Sequence, residues 1–200
     1  MRLRDGKQGY GGEDAALMKK GDNIVLIGMP GVGKSTSGVV VAKLGGYRFL
    51  DSDLLIQHET GKLLKETIAE EGLEKFKEIE GRVNAGIDAA KTVIATGGSV
   101  VYSEEAMSHL REIGVVVYLR ASYETVCGRI SNPVGRGIAM EEGMTLEDVY
   151  KEREPLYVKY ADVLVDIEGE TIEETAKEIL RKVSGYGRGI LQTDDIKGKI

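Results

Sequence analysis

Two hundred residues, 42% of them hydrophobic, suit one compact domain with a proper core. A net charge of −6 argues against a nucleic-acid partner, which would ask for a basic face. No apolar run approaches the roughly 20 residues that span a bilayer, so no membrane partner is expected. Cys127 is the only cysteine and excludes an internal disulfide. It follows Val126 in a predicted helix and reads as a small core residue rather than a nucleophile. With no apolar h-region in the polar N-terminus, these features point to a reducing, cytoplasmic location.

The chain opens on a glycine-containing leader over 1–22 that is expected to be disordered. Asn23-Ile24-Val25-Leu26-Ile27 begins a predicted buried strand, 23–28. It runs into Gly28-Met29-Pro30-Gly31-Val32-Gly33-Lys34-Ser35, which fits the phosphate-loop pattern G-x-x-x-x-G-K-[ST]. A helix over 35–44 follows. Glycines let successive N–H groups point at one phosphate, and the helix N-terminus adds its positive end. Gly31, Val32, Gly33, Lys34, Ser35 and Thr36 are the expected nucleotide contacts. Lys34 is expected to stand exposed and reach the β- and γ-phosphates, and the Ser35 hydroxyl to ligate Mg²⁺. A dinucleotide fingerprint fits less well, because Thr36 stands where its third glycine belongs.

A second strand, 47–50, leads to Asp51-Ser52-Asp53. Carboxylates two apart at a strand end can divide the work. One holds Mg²⁺ through its water shell, and the other accepts the proton of a substrate hydroxyl. An ordinary helix N-cap would use the same residues. Helices are predicted over 52–58, 63–70 and 73–90, then a strand over 92–96 and the turn Thr96-Gly97-Gly98-Ser99, whose N–H groups could face a ligand. A helix over 103–112, a strand over 114–119 and a helix over 122–131 come next. Residues 131–143 hold Pro133, Gly135, Gly137 and Gly143 around Arg136, as a closing lid would. Thr145 caps a helix over 145–160, in which Pro155 signals a local break. A strand over 162–166 and a helix over 171–183, capped by Thr171, complete the domain at 23–183. A disordered tail is expected over 184–200. Five short strands apolar on both faces, separated by helices, predict a three-layer α/β fold: a doubly wound, parallel, five-stranded sheet.

The ordered set of motifs across residues 23–183 resembles the shikimate kinase family. The matching features are the phosphate loop, Asp51-Ser52-Asp53, Phe76-x-x-x-Glu80, the Gly97-Gly98 turn, the lid arginine, and Arg153-x-Pro155-Leu156-Tyr157 followed by Ala161-Asp162. The resemblance implies the P-loop kinase architecture, nucleoside-monophosphate-kinase-like, and ATP-dependent phosphorylation of the 3-hydroxyl of shikimate. It implies that Asp51 helps hold Mg²⁺ and that Asp53 binds substrate hydroxyls and orients or deprotonates the nucleophile. Arg153 would pair with the substrate carboxylate, and Gly97 and Gly98 would offer N–H groups. Arg136 would close over the phosphates, and Arg129 would lie near the adenine. Lys77 stands where the family has an arginine on the substrate carboxylate, a point charge in place of a fork. Ser99 stands where it has a third glycine, and a Cβ resists positive φ. Two rival readings remain: a kinase of this fold acting on another small hydroxylated metabolite, and a nucleotide-binding regulatory module without turnover. A monomer with a small-molecule substrate is expected.

Overall fold

Five parallel strands form the middle layer: β1 (Asn23–Ile27), β2 (Arg48–Asp51), β3 (Thr92–Ala95), β4 (Gly114–Arg120) and β5 (Val163–Asp166). Their order is β2-β3-β1-β4-β5. In the computed structural model, which describes residues 22–130 and 137–187, β1 and β3 are buried at every position. Helices cover both faces of such strands, so their sequences carry no polar alternation. Among the described residues eight helices surround the sheet: α1 (Lys34–Gly45), α2 (Ser52–Thr60), α3 (Leu64–Glu71), α4 (Leu73–Ala85), α5 (Glu104–Ile113), α6 (Tyr123–Arg129), α7 (Leu146–Tyr160) and α8 (Ile172–Gly187), with a 3₁₀ turn at Val100–Tyr102.

One apolar core runs through the sheet and the helices on it. A smaller cluster of Ile56, Phe76 and Ala139 holds α2 and α4 to the segment before α7. Polar residues lock the sheet at its start. The Asn23 amide donates to Ala89 O (2.7 Å) and Ile113 O (2.8 Å) and accepts from Thr92 N (2.9 Å). Buried Asp162 accepts from Val116 N at 3.0 Å and ties β4 to the chain entering β5. Val126 is fully buried and Cys127 half-buried, in keeping with a packing role. No helix among the described residues is long and apolar enough to cross a membrane.

The strands fall within a residue of their expected bounds, and the helices depart from expectation in three places. The helix expected over 73–90 stops at Ala85, where Gly86 caps it by donating to Arg82 O, and 86–91 run irregularly into β3. α7 passes through Pro155 without a break, carried by the burial of Val149, Arg153, Tyr157 and Tyr160 on one side. α8 continues over 184–187, which were expected to begin the tail. Buried Val183 anchors that last turn, and the Tyr186 hydroxyl comes within 3.4 Å of Asp162 Oδ1. Asp22 belongs to the fold rather than to the leader, because its carboxylate accepts from Lys91 N at 2.8 Å. The remainder of the expected leader and tail lies outside the described residues.

Candidate active site

β1 ends at Ile27, and the chain turns through Gly28 (φ 142°), Gly31 (φ 79°) and Gly33 (φ 99°) before α1 begins. These angles strain any residue with a Cβ. At Gly31 a Cβ would also stand 2.8 Å from the Ile130 side chain. No side chain caps α1, so the N–H groups of its first turn are left for an anion. Ser35 and Thr36 border the cleft beside them. Arg129, at the end of α6, borders it too and donates to Val32 O at 3.2 Å. Lys34 corrects one expectation, because it is buried rather than exposed. Its ammonium donates to Gly28 O (2.7 Å) and Met29 O (2.9 Å), folded onto its own loop. Burial pushes its pKa down to about 8, against the opposing pull of Asp53.

The floor of the cleft is acidic. Asp51 Oδ1 accepts from Asp53 N at 3.0 Å and caps α2, so the N-cap reading holds for Asp51. Asp53 borders the cleft, and burial pushes its pKa up to about 6, with Asp51 adding and Lys34 opposing. Glu80, fully buried on α4, borders the cleft as well. Its Oε2 accepts from the Ser99 hydroxyl. Burial raises Glu80 to about 7, with the Ser99 bond pulling the other way.

The glycine turn serves this floor differently from what was expected of it. The Gly97 N–H donates to Ser52 Oγ at 3.3 Å and is engaged within the protein. What Gly97 provides is the absence of a Cβ, which would collide with Glu80 Oε1 and stand 2.9 Å from Asp53 Oδ1. A Cβ on Gly98 would press on Pro30 of the phosphate loop at 2.9 Å. Its carbonyl accepts from the Tyr157 hydroxyl at 2.6 Å. Ser99 has φ −95° and ψ −1°, ordinary right-handed backbone, so a serine costs nothing there and no third glycine is required.

Arg153 stands on α7 with 1% of its surface exposed. Its Nε donates to the Tyr102 hydroxyl at 3.1 Å and its Nη2 to Ala139 O. Nη1 is buried, with no hydrogen-bond partner among the described residues, and lies 3.2 Å from the point where a Gly98 Cβ would be. A guanidinium nitrogen left unpaired at a cleft asks for an acceptor, and a carboxylate suits it best. Lys77 is not brought to this site. Phe76 and Glu80 take the inner face of α4, and position 77 turns to the next groove. There its ammonium pairs with Glu74 at 2.9 Å, lies 4.0 Å from Glu141, and sits 5.1 Å from the Tyr102 ring centroid. Of the expected lid, 131–136 with Arg136 lie outside the described residues. Ile138 and Ala139 are buried, so this part of the lid segment is packed onto the cleft.

The cleft holds about 620 Å³. Among the described residues no three acidic, His or Cys side chains gather as a metal cage. The sequence marks Glu80 and Tyr157 only as members of motifs, with no role assigned, and it gives Tyr102 and the Ala139 carbonyl none at all. The i, i+4 spacing of Phe76 with Glu80 and of Arg153 with Tyr157 was a usable signal, since each pair shares a helix face. Nothing in the sequence marks Tyr102.

The family model described as shikimate kinase matches residues 30–184. The chain is 37% identical over 170 residues to a shikimate kinase of Thermodesulfovibrio yellowstonii, spanning 84% of this chain and 98% of the relative. It is 39% identical over 156 residues to one from Gloeobacter violaceus, spanning 76% and 87%. Among solved structures, it resembles the shikimate kinase from Acinetobacter baumannii in complex with shikimate, with a TM-score of 0.75 and 30% identity over 85% of this chain and 96% of that one. It also resembles the shikimate kinase from Aquifex aeolicus, with a TM-score of 0.71 and 28% identity over 84% and 99%.

Proposed function

The chain belongs to the shikimate kinase family, and from that premise we propose that it transfers the γ-phosphoryl group of ATP to the 3-hydroxyl of shikimate. The observation that carries the reading is Arg153 Nη1, buried and without a hydrogen-bond partner among the described residues, in the cleft that also contains Asp53 and the phosphate loop. It gives an acidic, hydroxylated molecule one anchor for its carboxylate and one acceptor for its hydroxyl.

The residues divide the work. Gly31, Gly33 and the open first turn of α1 hold the phosphates by N–H groups. Lys34 leaves the Gly28 and Met29 carbonyls to meet the γ-phosphate, a short swing for a side chain already over the loop. Arg153 fixes the substrate carboxylate. Asp53 accepts the 3-hydroxyl proton as the new O–P bond forms and the bond to the β,γ-bridging oxygen breaks, releasing ADP. Asp53 is a better proton acceptor than an ordinary carboxylate, because burial pushes its pKa up to about 6. Ser35 and Asp51 are the residues that would hold Mg²⁺, which neutralises charge on the transferring phosphoryl group. Arg136 keeps its proposed place over the phosphates on sequence grounds, as Arg129 does near the adenine. A monomer in the cytoplasm completes the reading.

The test is ADP release and ³¹P NMR of the product with shikimate and a panel of small hydroxylated acids. A 3-phosphate formed from shikimate is the expected result. Turnover confined to another compound would place this chain with a different substrate, and the outward turn of Lys77 would then be part of that difference.

A further inference from the structure

Glu80 is fully buried on the inner face of α4, yet its carboxylate borders the cleft. Oε2 accepts from the Ser99 hydroxyl. Ser99 is itself buried at the start of the 3₁₀ turn, with an ordinary backbone conformation, so its hydroxyl is held in place by the fold. Oε1 is turned toward Gly97. The missing side chain there leaves room for it, since a Cβ would collide with Oε1 and come within 2.9 Å of Asp53 Oδ1. One oxygen from each carboxylate is therefore brought over the same glycine. Two carboxylates meeting at a buried point repel each other. A donor fixed on the far oxygen of one of them keeps that one aimed.

We propose that Ser99 is a positioning residue: its hydroxyl holds Glu80 so that Oε1 accepts a second substrate hydroxyl beside the one at Asp53. The substrate class this fits is a small acid with two neighbouring hydroxyl groups, and in that respect the proposal rests on the shikimate reading. The charged and titratable groups facing Glu80 are Lys34 on α1, Asp53 on α2, Arg153 and Tyr157 on α7, and Ser99 contributes the neutral donor. Asp53 pushes the Glu80 pKa up, while Ser99, Arg153 and Lys34 hold it down. Removing the Ser99 donor therefore moves the titration of Glu80 further up.

The experiment compares wild type, Ser99→Ala and Ser99→Thr. In the free enzyme the Glu80 carboxyl, assigned by its absence in Glu80→Gln, is titrated by ¹³C NMR. Its midpoint is expected near about 7 in wild type. In Ser99→Ala it should be higher by roughly half a pH unit or more, and in Ser99→Thr it should return toward wild type. With shikimate, Ser99→Ala should raise KM roughly tenfold, with kcat and the KM for ATP within about twofold. An unchanged midpoint in folded Ser99→Ala overturns the proposal, and so do KM values for both substrates rising in proportion. If Ser99→Ala does not fold, Glu80→Gln decides: a shikimate KM within twofold of wild type overturns the proposal. The NMR arm needs no substrate. A wild type that titrates as stated but does not turn over shikimate supports the Ser99–Glu80 pair and sinks the shikimate reading alone.

Discussion

The phosphate half and the substrate half of the cleft are built from different materials. The phosphate half is backbone: three glycines with positive φ and the uncapped first turn of α1, all within nine consecutive residues, 28–36. The substrate half is buried charge gathered from afar: Asp53 on α2, Glu80 on α4 and Arg153 on α7. Backbone donors cost little to leave facing water until a ligand arrives. Buried charges do not have that freedom, since each is costly without a partner. The two carboxylates respond by holding their protons to higher pH, and Arg153 responds by engaging Tyr102 and Ala139 while keeping Nη1 in reserve. The difference teaches that substitutions in the first half act through geometry and charge at the phosphates, and those in the second through ionisation and substrate affinity.

The sharpest way to break this comparison is to remove Lys34 on the phosphate side and Asp53, the proposed base, on the substrate side. Lys34→Ala should lower kcat about a thousandfold, as expected when transition-state charge loses its partner. Asp53→Asn should lower kcat by a similar factor, yet leave ATP affinity within about threefold, read by nucleotide titration calorimetry. Loss of ATP binding in both variants would merge the two halves into one site.

Arg153→Lys should come next. It keeps the charge and loses the fork, and the orphaned Nη1 has no lysine equivalent. The KM for shikimate should rise roughly fiftyfold with the KM for ATP little changed. Equal effects on both substrates would mean that the anchor organises the whole cleft.

Glu80→Gln tests the ionisation argument through stability. The folded-state pKa is raised from 4.5 to about 7. The folded chain therefore holds a proton that the unfolded chain has released across that window. Stability then falls as pH rises from about 4.5 to 7, because Glu80 resists ionising where it lies. Glu80→Gln should flatten this dependence and gain roughly 1–2 kcal/mol at pH 8, measured by urea unfolding at pH 5 and pH 8. A variant that is less stable at both pH values would show the carboxylate to be a net stabiliser.

The smallest effect belongs to Lys77. Its ammonium is engaged with Glu74 and Tyr102 in the neighbouring groove. Exposed i, i+3 pairs contribute little. Lys77→Ala and Lys77→Arg should both leave the KM for shikimate within about twofold. A large drop in KM for Lys77→Arg would show that an arginine at this position reaches the cleft where the lysine does not.

What could be read along the chain was whatever the local backbone dictates. The runs Ile24–Ile27 and Val115–Leu119 read as buried strands, because they are short, rich in β-branched residues and flanked by glycine, where a buried helix would run to about ten residues or more. The glycines at 28, 31 and 33 had to form a phosphate-binding turn, because their spacing, the strand before them and the helix after them are all sequence-local. Tertiary structure alone decided the rest. It folded Lys34 down onto its own loop, where the Gly28 and Met29 carbonyls accept from the ammonium. It turned Lys77 away, since the inner face of α4 was already occupied by Phe76 and Glu80. It joined Ser99 to Glu80 and left Arg153 Nη1 waiting. Those pairings depend on where α4 and α7 come to rest against the turn after β3, and that position is set by packing between residues far apart in the chain, which no local pattern records.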